Sequence, residues 1–100
     1  MPRPLPSLHP GEVLREEFME PFGLSAYRLA DVCHIPRTRI ERIAREEVGI
    51  TADTALRLAK YFGTTPEFWM NLQARYEVET ARAAIAAELA TIKERESQDA

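Results

Sequence analysis

Apolar side chains recur three and four residues apart in five stretches of the chain, and nothing in it alternates as a half-buried strand would. "HPGEVLREEFME", residues 9–20, has Pro10 near its start, acids early, and Val13, Leu14 and Phe18 on one side; Pro21 and Gly23 stop it. "SAYRLADVC", residues 25–33, opens on Ser25 as N-cap and sets Leu29 and Val32 at helical spacing, with Ala26, Ala30 and Cys33 close by. "IPRTRIERIAREE", residues 35–47, carries Pro36 in its first turn, and Gly49 follows its end. "TADTALRLAKYFG", residues 51–63, runs from the N-cap Thr51 to Gly63, with Ala55, Leu58, Ala59 and Phe62 on one face. The last stretch starts at Thr65, Pro66 and Glu67 and can run unbroken to about Lys93 before the polar "ERESQDA". Phe68, Trp69, Leu72 and Tyr76 form a stripe that ties it to the body. The pattern predicts an all-α chain of five helices: a domain over 9–77, a proline-rich segment 1–8 without fixed structure, and a helical extension with a polar tail over 78–100.

A helical wheel of the third stretch puts Ile40, Ile43 and Ala44 on one side and Thr38, Glu41, Arg42 and Arg45 on the other, with Arg37 and Arg39 flanking the N-terminal end. The helix is anchored by isoleucines and shows arginines outward. Only "HIP" separates it from the short helix before it. Two short helices, a tight turn and an outward basic face are the layout of a helix-turn-helix, whose second helix enters the DNA major groove. Arginine suits that task because its planar fork reads guanine bidentately and also grips phosphate.

Charge sharpens the picture. The whole chain carries −3, yet Leu24 to Arg45 holds five basic residues against two acids, a balance of +3, leaving −6 elsewhere. Such asymmetry marks an anion-binding face on an acidic body.

The string "GLSAYRLADVCHIPRTRIERI" resembles the helix-turn-helix of the phage-repressor (Xre) family. Together with "HPGEVLREEFMEPF" and "GITADTALRLAKYFGTTPEFWMNLQARYE", it resembles HigA-type (VapI-like) antitoxins over roughly residues 9 to 77. The resemblance implies a five-helix phage-repressor-like domain with a long C-terminal helix. It also implies two partners for a cytoplasmic homodimer: its own operator DNA, and a RelE/HigB-like toxin that cleaves mRNA. It assigns base-edge contacts to Arg37, Thr38 and Arg42, with Arg39 beside them and Arg45 on the same outward face. Ser25 matches the cap of the first helix of the motif, where freed amides face a phosphate. Ala26 stands where many repressors have a phosphate-binding glutamine, and Glu46 and Glu47 stand where a basic stretch is common and are expected to repel the backbone. His34 takes the place of the usual turn glycine, which requires a positive φ.

Other constellations carry less. Cys33 next to His34 has no further ligand set at workable spacing and reads as a structural thiol beside a turn residue. A single cysteine fits a reducing compartment, no apolar run is long enough for a membrane span, and "MPRPLPSL" lacks the features of a signal peptide. Glu12, Glu16, Glu17 and Glu20 read as a solvated face. No catalytic grouping, phosphate loop, metal site or cofactor site is present in the sequence. Three functions stay open: a DNA-binding antitoxin, a stand-alone Xre regulator, and a protein-binding module without DNA binding.

Val78, Ala81, Ile85, Leu89 and Ile92 continue an apolar rhythm past the domain. An apolar face beyond the body needs a cover. A two-fold mate, the toxin and the chain's own core are the candidates.

Overall fold

Capping chemistry sets most of the element boundaries. The computed structural model describes residues 8–96, so the expected behaviour of the first seven and last four residues lies outside it. Helix α1 opens as Pro10–Val13 and continues as a π-helical stretch over Leu14–Met19. Its N-cap is His9, whose Nδ1 accepts from the Gly11 N–H at 2.9 Å. Helices α2 (Ala26–Cys33), α4 (Ala52–Phe62) and α5 (Pro66–Ala84) begin at Ser25, Thr51 and Thr65, whose hydroxyls accept from amides three residues on. Helix α3 spans Arg37–Ala44, directly after Pro36. The short α6, Ala86–Thr91, completes the set, and no strand occurs among the described residues.

Two differences from the sequence reading stand out. The wide turn at Leu14–Met19 closes with the Glu20 N–H bonded to the Arg15 carbonyl and the Leu24 N–H to the Met19 carbonyl, five residues back. The last helix is broken at Ile85, where φ is −116° and ψ is 26°. That break lies beyond the body, where every residue from Glu77 to Glu96 is exposed and no packing enforces a straight helix.

The core is built from the predicted faces. Leu14, Leu29, Ile40, Ile43, Ala55, Leu58 and Trp69 are fully buried. Trp69 lies 4.9 Å from Phe18 and 5.0 Å from Phe68 between ring centres, and its indole N–H donates to Thr64 Oγ1 at 2.9 Å. Of the α5 stripe, Leu72 and Tyr76 are half-buried, whereas Phe68 sits edge-on at the rim and stays exposed.

Polar ties fix the helices to one another. Gln73 on α5 accepts from the Ile50 N–H at 2.7 Å and donates to Glu77 at 2.6 Å, which pins the loop after α3. The Arg15 guanidinium donates to the Ala44 carbonyl at the end of α3 and pairs with Glu46 at 3.3 Å. Arg57 on α4 donates to the carbonyls of His34, at 3.0 Å, and Cys33, at 3.3 Å, at the end of α2. Each helix of the motif therefore has its C-terminal carbonyls held by an arginine from outside it.

Gly11 makes the closest approach. A Cβ built there would lie 1.8 Å from the Ile43 carbonyl oxygen, so the start of α1 rests backbone to backbone on α3. Gly11→Ala is expected to destabilise the protein by at least about 2 kcal/mol in urea denaturation, because backbone rather than a flexible side chain must move. A loss under about 0.5 kcal/mol would rule out that contact.

His9 adds a pH dependence. Its ring is buried edge-on against Tyr76, with centroids 4.8 Å apart. Burial lowers its pKa, with the Glu46 carboxylate opposing. The unfolded state therefore binds more protons, and stability is full above the ordinary value of about 6.5 and lost as pH falls through the depressed folded value. Thermal melts are expected to drop on going from neutral to acidic pH in the wild type and less so in His9→Asn, which keeps a side-chain acceptor for the Gly11 amide. Equal acid sensitivity in both proteins would assign the effect to other groups.

Candidate nucleic-acid interface

Helix α2 ends at His34, which adopts φ 58° in the left-handed region, as the missing turn glycine requires. The Ile35 N–H then bonds back to the Ala30 carbonyl at 3.0 Å, and Ile35 tucks into the core. Pro36 starts α3 at once. The same device closes α3: Glu46 takes φ 64°, and the Glu47 N–H bonds to the Arg42 carbonyl at 2.8 Å.

Between these ends, Ile40 and Ile43 are fully buried and turn the rest of the helix outward. The side chains of Arg37, Arg39, Arg42 and Arg45 are 58%, 44%, 58% and 61% exposed. Thr38 is exposed with them. An open cleft of about 360 Å³ runs along the helix, with Thr38, Arg39 and Arg42 on one side and Thr51 and Thr54 on the other. Ser25 is exposed at the start of α2, its hydroxyl accepting from the Arg28 N–H at 3.0 Å. All six residues singled out as DNA contacts thus lie on the motif's surface.

Sequence reasoning missed what the arginines touch. Arg37 pairs with Glu41 at 3.3 Å, Arg39 with Asp53 at 3.7 Å, and Glu47 takes both Arg42 at 3.7 Å and Arg45 at 3.8 Å. The Arg37–Glu41 spacing of four was a readable signal; the others depend on how α4 and the loop fold back. Asp53 is itself held by Arg57 at 2.7 Å, a hydrogen bond that lowers its carboxyl pKa.

The expectation of two equivalent repulsive acids divides. Glu46 is turned to Arg15 at the end of the helix, whereas Glu47 lies among the outward arginines. Ala26 is half-buried against the core, so a small side chain suits its position.

Cys33 is buried, and its thiol donates to the Arg57 carbonyl at 3.8 Å. Burial raises its pKa, with Arg57 opposing. Among the described residues, no three His, Cys, Asp or Glu side chains group as a metal site, and no helix is long and apolar enough to cross a membrane. In the C-terminal stripe, Val78 and Ala81 lie on α5 and Leu89 on α6, with the break at Ile85 between them; all five residues, Ile92 included, are exposed.

Comparison with known proteins bears on this geometry. The helix-turn-helix family profile matches residues 16–69. Virulence-associated protein I of Dichelobacter nodosus is 52% identical over 77 residues, covering 77% of this chain and 71% of that protein. Among solved structures, the Pseudomonas aeruginosa antitoxin HigA with the higBA promoter is 42% identical with a TM-score of 0.84, over 87% of this chain and 96% of that one. Antitoxin GraA in complex with its operator is 37% identical with a TM-score of 0.87, over 97% of this chain and 99% of that one. The chain spans 59% to 71% of the length of the curated relatives it matches. With an all-helical fold, the motif in place and these relatives, the chain belongs to the helix-turn-helix family of the phage-repressor type and, within it, to the HigA-type (VapI-like) antitoxins.

Proposed function

We propose that this chain is an antitoxin that represses its own operon by binding operator DNA as a homodimer and neutralises a RelE-like toxin. It works as a binding protein in the cytoplasm rather than as an enzyme. The observation that carries the DNA-binding reading is the seating of α3: buried isoleucines behind, four exposed arginines in front. The promoter and operator complexes of HigA and GraA, both close in fold over most of this chain, support it. Arg37, Thr38 and Arg42 would read base edges, Arg39 base or phosphate, and Arg45 phosphate. The N-terminus of α2 at Ser25 would face a phosphate.

The dimer reading rests on the uncovered face of α5 and α6. Val78, Ile85, Leu89 and Ile92 are between 41% and 69% exposed, too much apolar surface to leave to water along one arm. A two-fold mate covers such a face and sets two α3 helices against half-sites one helical turn apart, about 34–36 Å. The toxin is the competing cover for the same arm.

Arg42→Ala is expected to weaken operator binding by about 1–3 kcal/mol and relax preference at one base. Wild-type affinity should fall steeply between about 50 and 200 mM salt. A gel-shift series in which Arg42→Ala binds as tightly as wild type, or in which salt has no effect, would favour a module that binds protein alone.

Truncation after Glu77 removes no buried residue among those described. It should leave a folded helical domain that is monomeric by light scattering and binds operator far more weakly. A dimer that survives the cut places the interface elsewhere on the body.

A further inference from the structure

Aromatic rings reach the surface where the turn after α1, the end of α4 and the start of α5 meet. Phe22, Tyr61 and Phe68 are 64%, 43% and 37% exposed. Phe22 stacks on Phe62 with ring centres 6.4 Å apart, Tyr61 meets the same ring at 5.0 Å, and Phe68 lies 5.9 Å from Phe18. Phe18 and Phe62 are half-buried, 4.8 Å apart, and seat the group on the core at Trp69. The turn that carries Phe22 is fixed. Gly23 takes φ 64°, and the Gly23 and Leu24 N–H groups bond back to the Glu20 and Met19 carbonyls at 3.2 and 2.8 Å. Exposed aromatic rings held in place lose little freedom on contact, and such rings anchor protein interfaces.

Charge selects the occupant. Glu17 and Glu20 stand beside Phe18 and before Phe22 in the chain, Glu67 stands beside Phe68, and all three are exposed. Among the described residues, none of the three pairs with a cation. Lys60, next to Tyr61, offsets only one of them. An acidic face repels DNA. A two-fold contact through it would set the same acids of two copies against one another. The complement is a basic protein with apolar side chains. A toxin that cleaves mRNA is such a protein, because cations must hold its phosphate chain.

The patch is clear of the other two faces. Helix α4 begins beside α3, where Thr51 and Thr54 line the cleft, and reaches Phe62 about 16 Å further on. Helix α5 leaves the patch at Phe68 and reaches the arm at Val78 after about another 15 Å.

Resting on the antitoxin reading, we propose that Phe22, Tyr61 and Phe68, flanked by Glu17, Glu20 and Glu67, form the docking surface for the toxin. This leaves α3 to DNA and the arm to the two-fold mate, so the toxin-bound chain still binds its operator.

The test uses the full chain and the RelE-like protein encoded beside it, purified as a variant that no longer cleaves RNA. Toxin affinity is measured by biolayer interferometry, binding to a duplex enriched from a random library by fluorescence anisotropy, and mass by light scattering. F22S is expected to weaken toxin binding at least about 30-fold, as loss of an interface anchor does. E20K should weaken it roughly 3- to 10-fold, with a loss that shrinks as salt rises. E79K makes the same charge change on the arm and should alter it less than about 2-fold. F22S should keep wild-type mass and operator affinity, and wild type loaded with the duplex should still take up toxin. If F22S binds toxin within about 2-fold of wild type, or E20K loses no more than E79K, the proposal fails. It fails too if bound operator excludes the toxin, or if F22S loses mass, which would make the patch an interface between copies. A wild-type chain that does not bind the toxin at all refutes instead the antitoxin reading on which the proposal rests.

Discussion

The backbone contact between Gly11 and Ile43 fixes how deeply α3 sits in the body. A side chain at position 11 would push the recognition helix outward, and the isoleucines beneath it would lose their burial. His9 holds the start of α1 in place for this contact, and Arg15 secures the same end of α3 through the Ala44 carbonyl. One short N-terminal element therefore grips the C-terminal end of α3, at Ile43 and Ala44, while Gln73 fixes the loop that follows. What α3 presents to solvent is a consequence of this grip more than of its own helix propensity, which two turns of chain could not sustain alone.

Much of this was legible in the sequence. Ser25, Thr51 and Thr65 cap as their chemistry dictates, Gly63 takes the left-handed turn, and Ile40 and Ile43 face inward as the spacing requires. His34 in a glycine position was legible too, because histidine tolerates positive φ better than most residues. The illegible parts are those set by tertiary approach. The wide turn after Val13 carries no mark in a pattern of period 3.6, and Arg15 reaches the end of α3 across a separation that local spacing does not encode. In the candidate site, the exposure of the arginines followed from the wheel. Their partners Asp53 and Glu47 did not, since both come from backbone that folds back on α3.

The pairing reframes the charge pattern. A basic helix on an acidic body suggested a surface of uncompensated positive charge, yet in the folded chain every arginine of α3 has a carboxylate within 4 Å. Exposed pairs of this kind contribute at most about 1 kcal/mol each, so they exchange readily for stronger partners. Glu41, Asp53 and Glu47 serve all four arginines, and Asp53 also serves Arg57, so the surface keeps a net positive charge that grows toward a ligand able to displace its acids.

The arm formed by the end of α5 and by α6 has a consequence for how order is distributed in the molecule. Past Glu77 the helix buries nothing, so its backbone bonds are supported by no tertiary contact. A helix of this length is marginal in water by itself. Its amides are thus the first to open, and whichever surface comes to cover it bears the entropic cost of holding it straight. Were that surface a second copy of the chain, order in this part would depend on protein concentration, whereas order in the body would not.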